Sequence, residues 1–162
     1  MDVARLDVLE ATGPLQLSGG PQGGCEAAIH ALREVFQDTD AVLFVDASNA
    51  FNNLSRFTAL YNIQSICPTV LKVLTNCYRA DACLFVGGTV LYSREGTTQG
   101  DPLAMIMFAL ASRPLIDTIT TPQTTQVWFA DDAGCGGRLK RLRHWWDFCW
   151  RAAPNLVIFL TP

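Results

Sequence analysis

Three acids stand in surroundings that are otherwise apolar: Asp46 at the end of the run AVLFVDAS, and the adjacent pair Asp131 and Asp132 after QVWFA. Carboxylates gathered in this way repel one another, since two like charges about 4 Å apart cost roughly 4 kcal/mol at an effective dielectric near 20. A divalent cation relieves that repulsion. Oxygen ligands of this kind suit Mg²⁺, which keeps waters and substrate phosphates in its shell. Two such ions about 3.5–4 Å apart clamp the attacking and leaving oxygens of an in-line phosphoryl displacement. Taken singly, each signal is weak. Asp46 alone reads equally well as a helix-capping acid, and Asp131-Asp132 alone as an exposed hairpin turn, where Asp is common.

The elements that must position these acids follow from periodicity and punctuation. AVLFVDAS is a short apolar run that predicts a buried strand presenting Asp46 at its C-terminal end. Ser48 or Asn49 then caps a single helix through AFNNLSRFTALYNI. QVWFA and AGCGG predict two short strands with Asp131-Asp132 in the turn between them. Around this centre, residues 12 to 24 are crowded with Gly and Pro and read as a loop, and residues 25 to 36 place apolar side chains at helical spacing. Pro68 opens a further helix, and Gly87-Gly88 joins LFV to TVLY as a hairpin. Residues 100 to 119 predict a long buried helix with Asp101 as its cap and Pro102 in its first turn. RLKRLRHWWDFCWR predicts a last helix in which Arg138, Lys140, Arg141 and Arg143 face solvent, while Trp145, Trp146 and Trp150 suit core packing.

The chain has 162 residues, 49% of them apolar, enough for one sizeable core. Its formal charge of -3 argues against nucleic acid, because phosphate affinity is supplied mainly by Lys and Arg. The six cysteines form no CxxC pair and no Cys/His ligand spacing, so they read as buried free thiols. No basic start precedes an apolar run, and no stretch approaches 18 apolar residues, so the expected location is intracellular (nucleus or cytoplasm), not secreted and without a membrane.

Three segments in order carry a resemblance. FVDASNAF (44 to 51), EGTTQGDPLA (95 to 104) and FADD (129 to 132) resemble the first three palm motifs of reverse transcriptases, among them those of retrotransposons without long terminal repeats. The resemblance implies an α+β fold, a polymerase palm with a small antiparallel sheet backed by helices and part of the fingers. Residues 1–37 would be a fingers remnant, 38–150 the palm, and 151–162 a truncated tail, with missing fingers or thumb supplied by a longer chain.

The implied activity is RNA-templated DNA synthesis by two-metal-ion nucleotidyl transfer to a primer 3′-hydroxyl. Its partners are an RNA or DNA template with primer and deoxynucleoside triphosphates; its cofactor is two Mg²⁺ ions, with Mn²⁺ as a substitute. Asp46 and Asp131 would hold the metals, with Asp132 a neighbouring acid of more variable role and the Ala47 carbonyl a further ligand. Phe51 would lie under the sugar and exclude a 2′-hydroxyl, and Gln99 and Gly100 would lie beside the nucleotide or template. Two rivals stay open. One is an RNA-dependent RNA polymerase palm, although such palms usually carry Gly where Ala130 precedes the paired acids and a smaller or polar residue where Phe51 stands. The other is a non-catalytic palm remnant or a domesticated nucleic-acid-binding module.

Overall fold

The computed structural model describes residues 2–20, 22–98, 100–156 and 159–161. It begins with α1 (Asp2–Thr12), an element the sequence reading lacks. A helix this short is marginal in water, and it is held by packing: Val8 is buried, and α1 lies against the long helix of the core. The Gly/Pro-rich loop follows, containing a 3-10 turn at Leu17–Gly19 with Gln16 as its cap. Next come α2 (Gly24–Asp38), β1 (Ala41–Ser48), α3 (Ala50–Asn53), α4 (Arg56–Ile66) and α5 (Pro68–Tyr78). The hairpin β2 (Ala82–Val86) and β3 (Thr89–Ser93) turns at Gly87-Gly88, both at positive φ, the backbone that two-residue hairpin turns favour. The chain closes with α6 (Pro102–Ile119), β4 (Thr124–Phe129), β5 (Asp132–Gly137), α7 (Leu139–Ala152) and β6 (Phe159–Thr161).

The main sheet has the order β4-β5-β1-β6 with every pair antiparallel. The expected neighbourhood of the acid hairpin and the Asp46 strand is therefore present, and β6 adds a strand on the far edge of β1. One face of the sheet looks into the core, where Val45, Ala47, Trp128, Ala133 and Cys135 are buried together with Phe108 and Ile116 of α6 and Trp145 of α7. Burial pushes the Cys135 and Cys149 thiols up to about 12. Gln126 is the polar exception on this face. Its Oε1 accepts from Trp128 Nε1 (3.1 Å) and Trp145 Nε1 (2.8 Å), and its Nε2 donates to Thr120 Oγ1 (2.6 Å) and the Ile116 carbonyl (3.3 Å), so the buried amide is satisfied.

Over β4 and β5 the opposite face is covered by α2, and glycines make that possible. A Cβ at Gly134 would stand 2.5 Å from Leu32 Cδ1, and one at Gly136 would stand 1.9 Å from Val35 Cγ1. AGCGG is thus a strand whose outward residues lack side chains because a helix lies on them.

Several expectations are corrected. β1 is not buried on both faces: it alternates, with Val45 and Ala47 inside and Phe44 67% exposed, because α2 leaves this part of the sheet open. The single helix after β1 is two, broken at Leu54; Ser55 caps α4 by accepting from Thr58 N at 3.2 Å, while Asn49 sits in the left-handed region (φ 50°) and makes no side-chain cap. Only three cysteines, Cys67, Cys135 and Cys149, are buried; Cys25, Cys77 and Cys83 are exposed. Of the three tryptophans on α7, Trp145 is in the core and Trp150 is exposed. Helix α6 is, contrary to the hydropathy reading, long and apolar enough by length and composition to span a membrane. Its burial against α1, α4 and α7 explains that composition as a core helix's.

Candidate active site

The strand register brings the acids together. Val45 pairs with Ala133, and one residue further on, at the same end of the sheet, stand Asp46 on β1 and Asp132 on β5. Phe129 pairs with Asp132, so the turn proper is Ala130-Asp131, and Asp132 is the first strand residue rather than part of the turn. Asp46 and Asp132 are exposed, on the face away from the buried Val45 and Ala133, and Asp131 is half-buried. The Asp131 carboxyl is held above the ordinary carboxylate range. Burial is the main cause, a hydrogen bond to its own backbone opposes it, and the charges of Asp132 and Asp46 add to it.

Two clefts meet at Asp46. One, about 440 Å³, is lined by Asp46, Ala47, Asn49, Phe51 and Asp131. The other, about 470 Å³, lies on the α2 side and is lined by Asp46, Asp132, Phe44, Phe129, Ile29 and Leu32. Neither cleft is lined by a Lys or Arg among the described residues. Phe51 therefore sits where a ligand of Asp46 and Asp131 would meet it, yet it also stacks on Phe108 of α6 at 4.7 Å between ring centroids. The ring is both cleft wall and core contact.

Among the described residues no three His, Cys, Asp or Glu side chains already form a metal cage. The donor set nevertheless fits a hard cation: the carboxylates of Asp46 and Asp131 line one open cleft, and burial first, then the charges of Asp132 and Asp46, disfavour the Asp131 charge that a cation would relieve. Mg²⁺ is ordinarily held by one or two carboxylates plus waters and substrate phosphates rather than by an all-protein cage.

Gly100 is exposed with φ 90°, a backbone that a side chain would strain, and Gln99 lies outside the described residues. The segment leading to them is tied to the Phe51 helix: Thr97 N donates to Phe51 O (2.7 Å) and Gly96 N to Leu54 O (2.9 Å). Gly96 has φ 68°, and a Cβ there would lie 2.3 Å from Asn52 O, so this close approach requires glycine. Asp101 is the cap of α6, accepting from Leu103 N at 2.9 Å, as its place before Pro102 implies.

No family model and no curated protein matches the sequence. Among solved structures the chain is similar to apo telomerase from Candida tropicalis, truncated from its C-terminal domain, with a TM-score of 0.64 and 12% identity. The likeness covers 97% of this chain and 38% of that one. The fold is α+β and palm-like, a small antiparallel sheet backed by helices.

Three residues that shape this palm escaped the sequence reading. Gln16 is fully buried and bonds both backbone groups of Ala130. Arg56, 8% exposed, donates Nε to Gly96 O (2.7 Å) and its remaining nitrogens to Ala80 O, Ser93 O, Ser93 Oγ and Glu95 O, fixing the loop before Gly100. Tyr78 lies under the Arg56 guanidinium and donates its hydroxyl to Asp101. The available signal was a lone polar residue between Leu15 and Leu17, and a lone cation at the start of an apolar helix.

Proposed function

We propose that this chain is the palm of a reverse transcriptase that adds deoxynucleotides to a primer 3′-hydroxyl on an RNA template. The observation that carries the reading is the meeting of Asp46, Asp131 and Phe51 on one cleft of a palm-like fold. The motif resemblance to retrotransposons without long terminal repeats supports the same reading, as does the order of the three motifs in the chain. An intracellular location, nucleus or cytoplasm, goes with it.

In this reading Asp46 and Asp131, with the Ala47 carbonyl, would hold two Mg²⁺ ions, and Asp132 would add negative charge beside them. When bound, the ions lower the pKa of the primer hydroxyl and neutralise charge on the phosphate. The hydroxyl oxygen, its proton passing to water, would form a bond to the α-phosphorus as the bond from that phosphorus to the bridging oxygen breaks and pyrophosphate leaves. The protein's own part is placement: Asp46 and Asp131 fix where charge is neutralised, Phe51 fills the space beneath C2′ of the sugar, and the Gly100 backbone lets the nucleotide or template approach closely.

The test is primer extension on an RNA template with Mg²⁺. Wild-type chain is expected to incorporate deoxynucleotides, and Asp131→Asn to lower the rate by at least about 10²-fold, the scale of losing one preorganised electrostatic group. Incorporation that survives both Asp46→Asn and Asp131→Asn contradicts the reading. Equal use of ribonucleotides by the wild-type chain contradicts the role given to Phe51 and favours an RNA polymerase. A second reading, a non-catalytic palm, is favoured by one observation: no Lys or Arg lines either cleft among the described residues, so a triphosphate finds no cationic side chain there. Metal binding without incorporation selects it.

A further inference from the structure

The acid turn has an unusual backbone. Ala130, 3% exposed, adopts φ 54°, a region in which a residue with a Cβ is uncommon, and such strain persists only where the surroundings impose it. The two-residue turn between Phe129 and Asp132 calls for a positive φ at its first residue, and a side chain 114 residues away braces it there. Gln16 Oε1 accepts from Ala130 N at 2.9 Å, and Gln16 Nε2 donates to Ala130 O at 3.0 Å. Because one partner is a donor and the other an acceptor, the orientation of the carboxamide is fixed by them. The amide is held in turn: Nε2 also donates to Ser112 Oγ (3.1 Å) on the core helix, and Oε1 accepts from Ser18 Oγ (2.9 Å) and Ser18 N (3.3 Å). Backbone contacts seat the segment beside β4, with Trp128 N donating to Leu15 O at 2.8 Å.

We propose that Gln16 is a positioning residue for the candidate metal site: its carboxamide brackets Ala130 and thereby aims the carboxylate of Asp131 into the cleft shared with Asp46. The proposal rests on the reading of Asp46 and Asp131 as metal ligands. A neutral amide is suited to the task. It holds the backbone from below without bringing a cation beside Asp131, which would compete with a bound metal for the carboxylate. Gln16 bonds Ala130, Ser112 and Ser18, and it acts on Asp131 through the turn.

Mn²⁺ binding by the 162-residue chain, followed by electron paramagnetic resonance, tests this on wild type, Gln16→Leu and Ser112→Ala. Gln16→Leu is expected to weaken Mn²⁺ by about 10- to 100-fold, the range for removing a partner that orients a ligand. Ser112→Ala, which loosens the same network but leaves both Ala130 bonds, is expected to bind as wild type does, even if its Tm falls as far. Equal affinity in wild type and folded Gln16→Leu overturns the proposal, as does equal weakening in both variants. Wild type that binds no Mn²⁺ overturns the metal-site reading itself, and with it the role given to Gln16. Should Gln16→Leu not fold, hydrogen exchange of the wild-type chain decides: the Ala130 amide is expected to exchange at least about 100-fold slower than in an unstructured peptide, and exchange at the unprotected rate overturns the clamp.

Discussion

Replacing Asp131 by Asn removes a charge that burial and two neighbouring carboxylates disfavour. The folded-state value of this acid lies above its ordinary 3.8, so between the two the native chain holds more protons than the unfolded one. Stability from this group is then fully present below 3.8 and is lost as pH rises through the raised value. Asn does not titrate. Without divalent cations, thermal scans should therefore show Asp131→Asn more stable than wild type at pH 7, with the difference shrinking on acidification; a difference that grows on acidification contradicts this. Phe51 has two duties, and its replacement should separate them. Phe51→Val gives up stacking on Phe108 and should cost about 1–2 kcal/mol, less than for a fully buried ring, while raising ribonucleotide use in the extension assay.

At the scale of elements, the site depends on a helix lying directly on a strand. Gly136→Ala would drive a Cβ to within 1.9 Å of Val35 Cγ1, and a β-branched side chain has little rotamer freedom with which to yield. Denaturant unfolding should register a loss of about 1–3 kcal/mol, the usual cost of overpacking, and no loss would mean that α2 does not bear on β5. Much of this arrangement was legible in the sequence. The apolar run ending in Asp46, the acids after VWFA, the Gly-Gly hairpin and the Asp101-Pro102 start of α6 are local patterns with local causes. What was not legible is long-range. The Gly/Pro-rich stretch before α2 reads as loop and is loop, yet Gln16 within it bonds Ser112 on α6 and Ala130 after β4, partners 96 and 114 residues away. Likewise, nothing in SRFTALY announces that Arg56 will turn inward to gather carbonyls from residues 80 to 96. The helix break at Leu54 comes with the burial of Leu54 and of Arg56 two residues on.

For the whole molecule, the formal charge of -3 means that nonspecific attraction to nucleic acid is weak, and the basic residues Arg138, Lys140, Arg141 and Arg143 are exposed on α7 and at its start rather than around the clefts. Apolar residues also reach the surface, with Phe57 81% and Phe85 79% exposed. In denaturant unfolding, Phe57→Ser with Phe85→Ser should leave stability within about 0.5 kcal/mol, since neither ring is part of the core. The central claim, that Asp46 and Asp131 form a divalent-cation site, is met most directly by thermal unfolding with and without Mn²⁺. At a cation concentration 100-fold above its Kd, binding contributes about 2.7 kcal/mol, which for a chain of this length raises Tm by roughly 5–10 °C. That rise is expected in wild type and should vanish in Asp131→Asn; no rise in wild type, or an equal rise in the variant, would contradict the account.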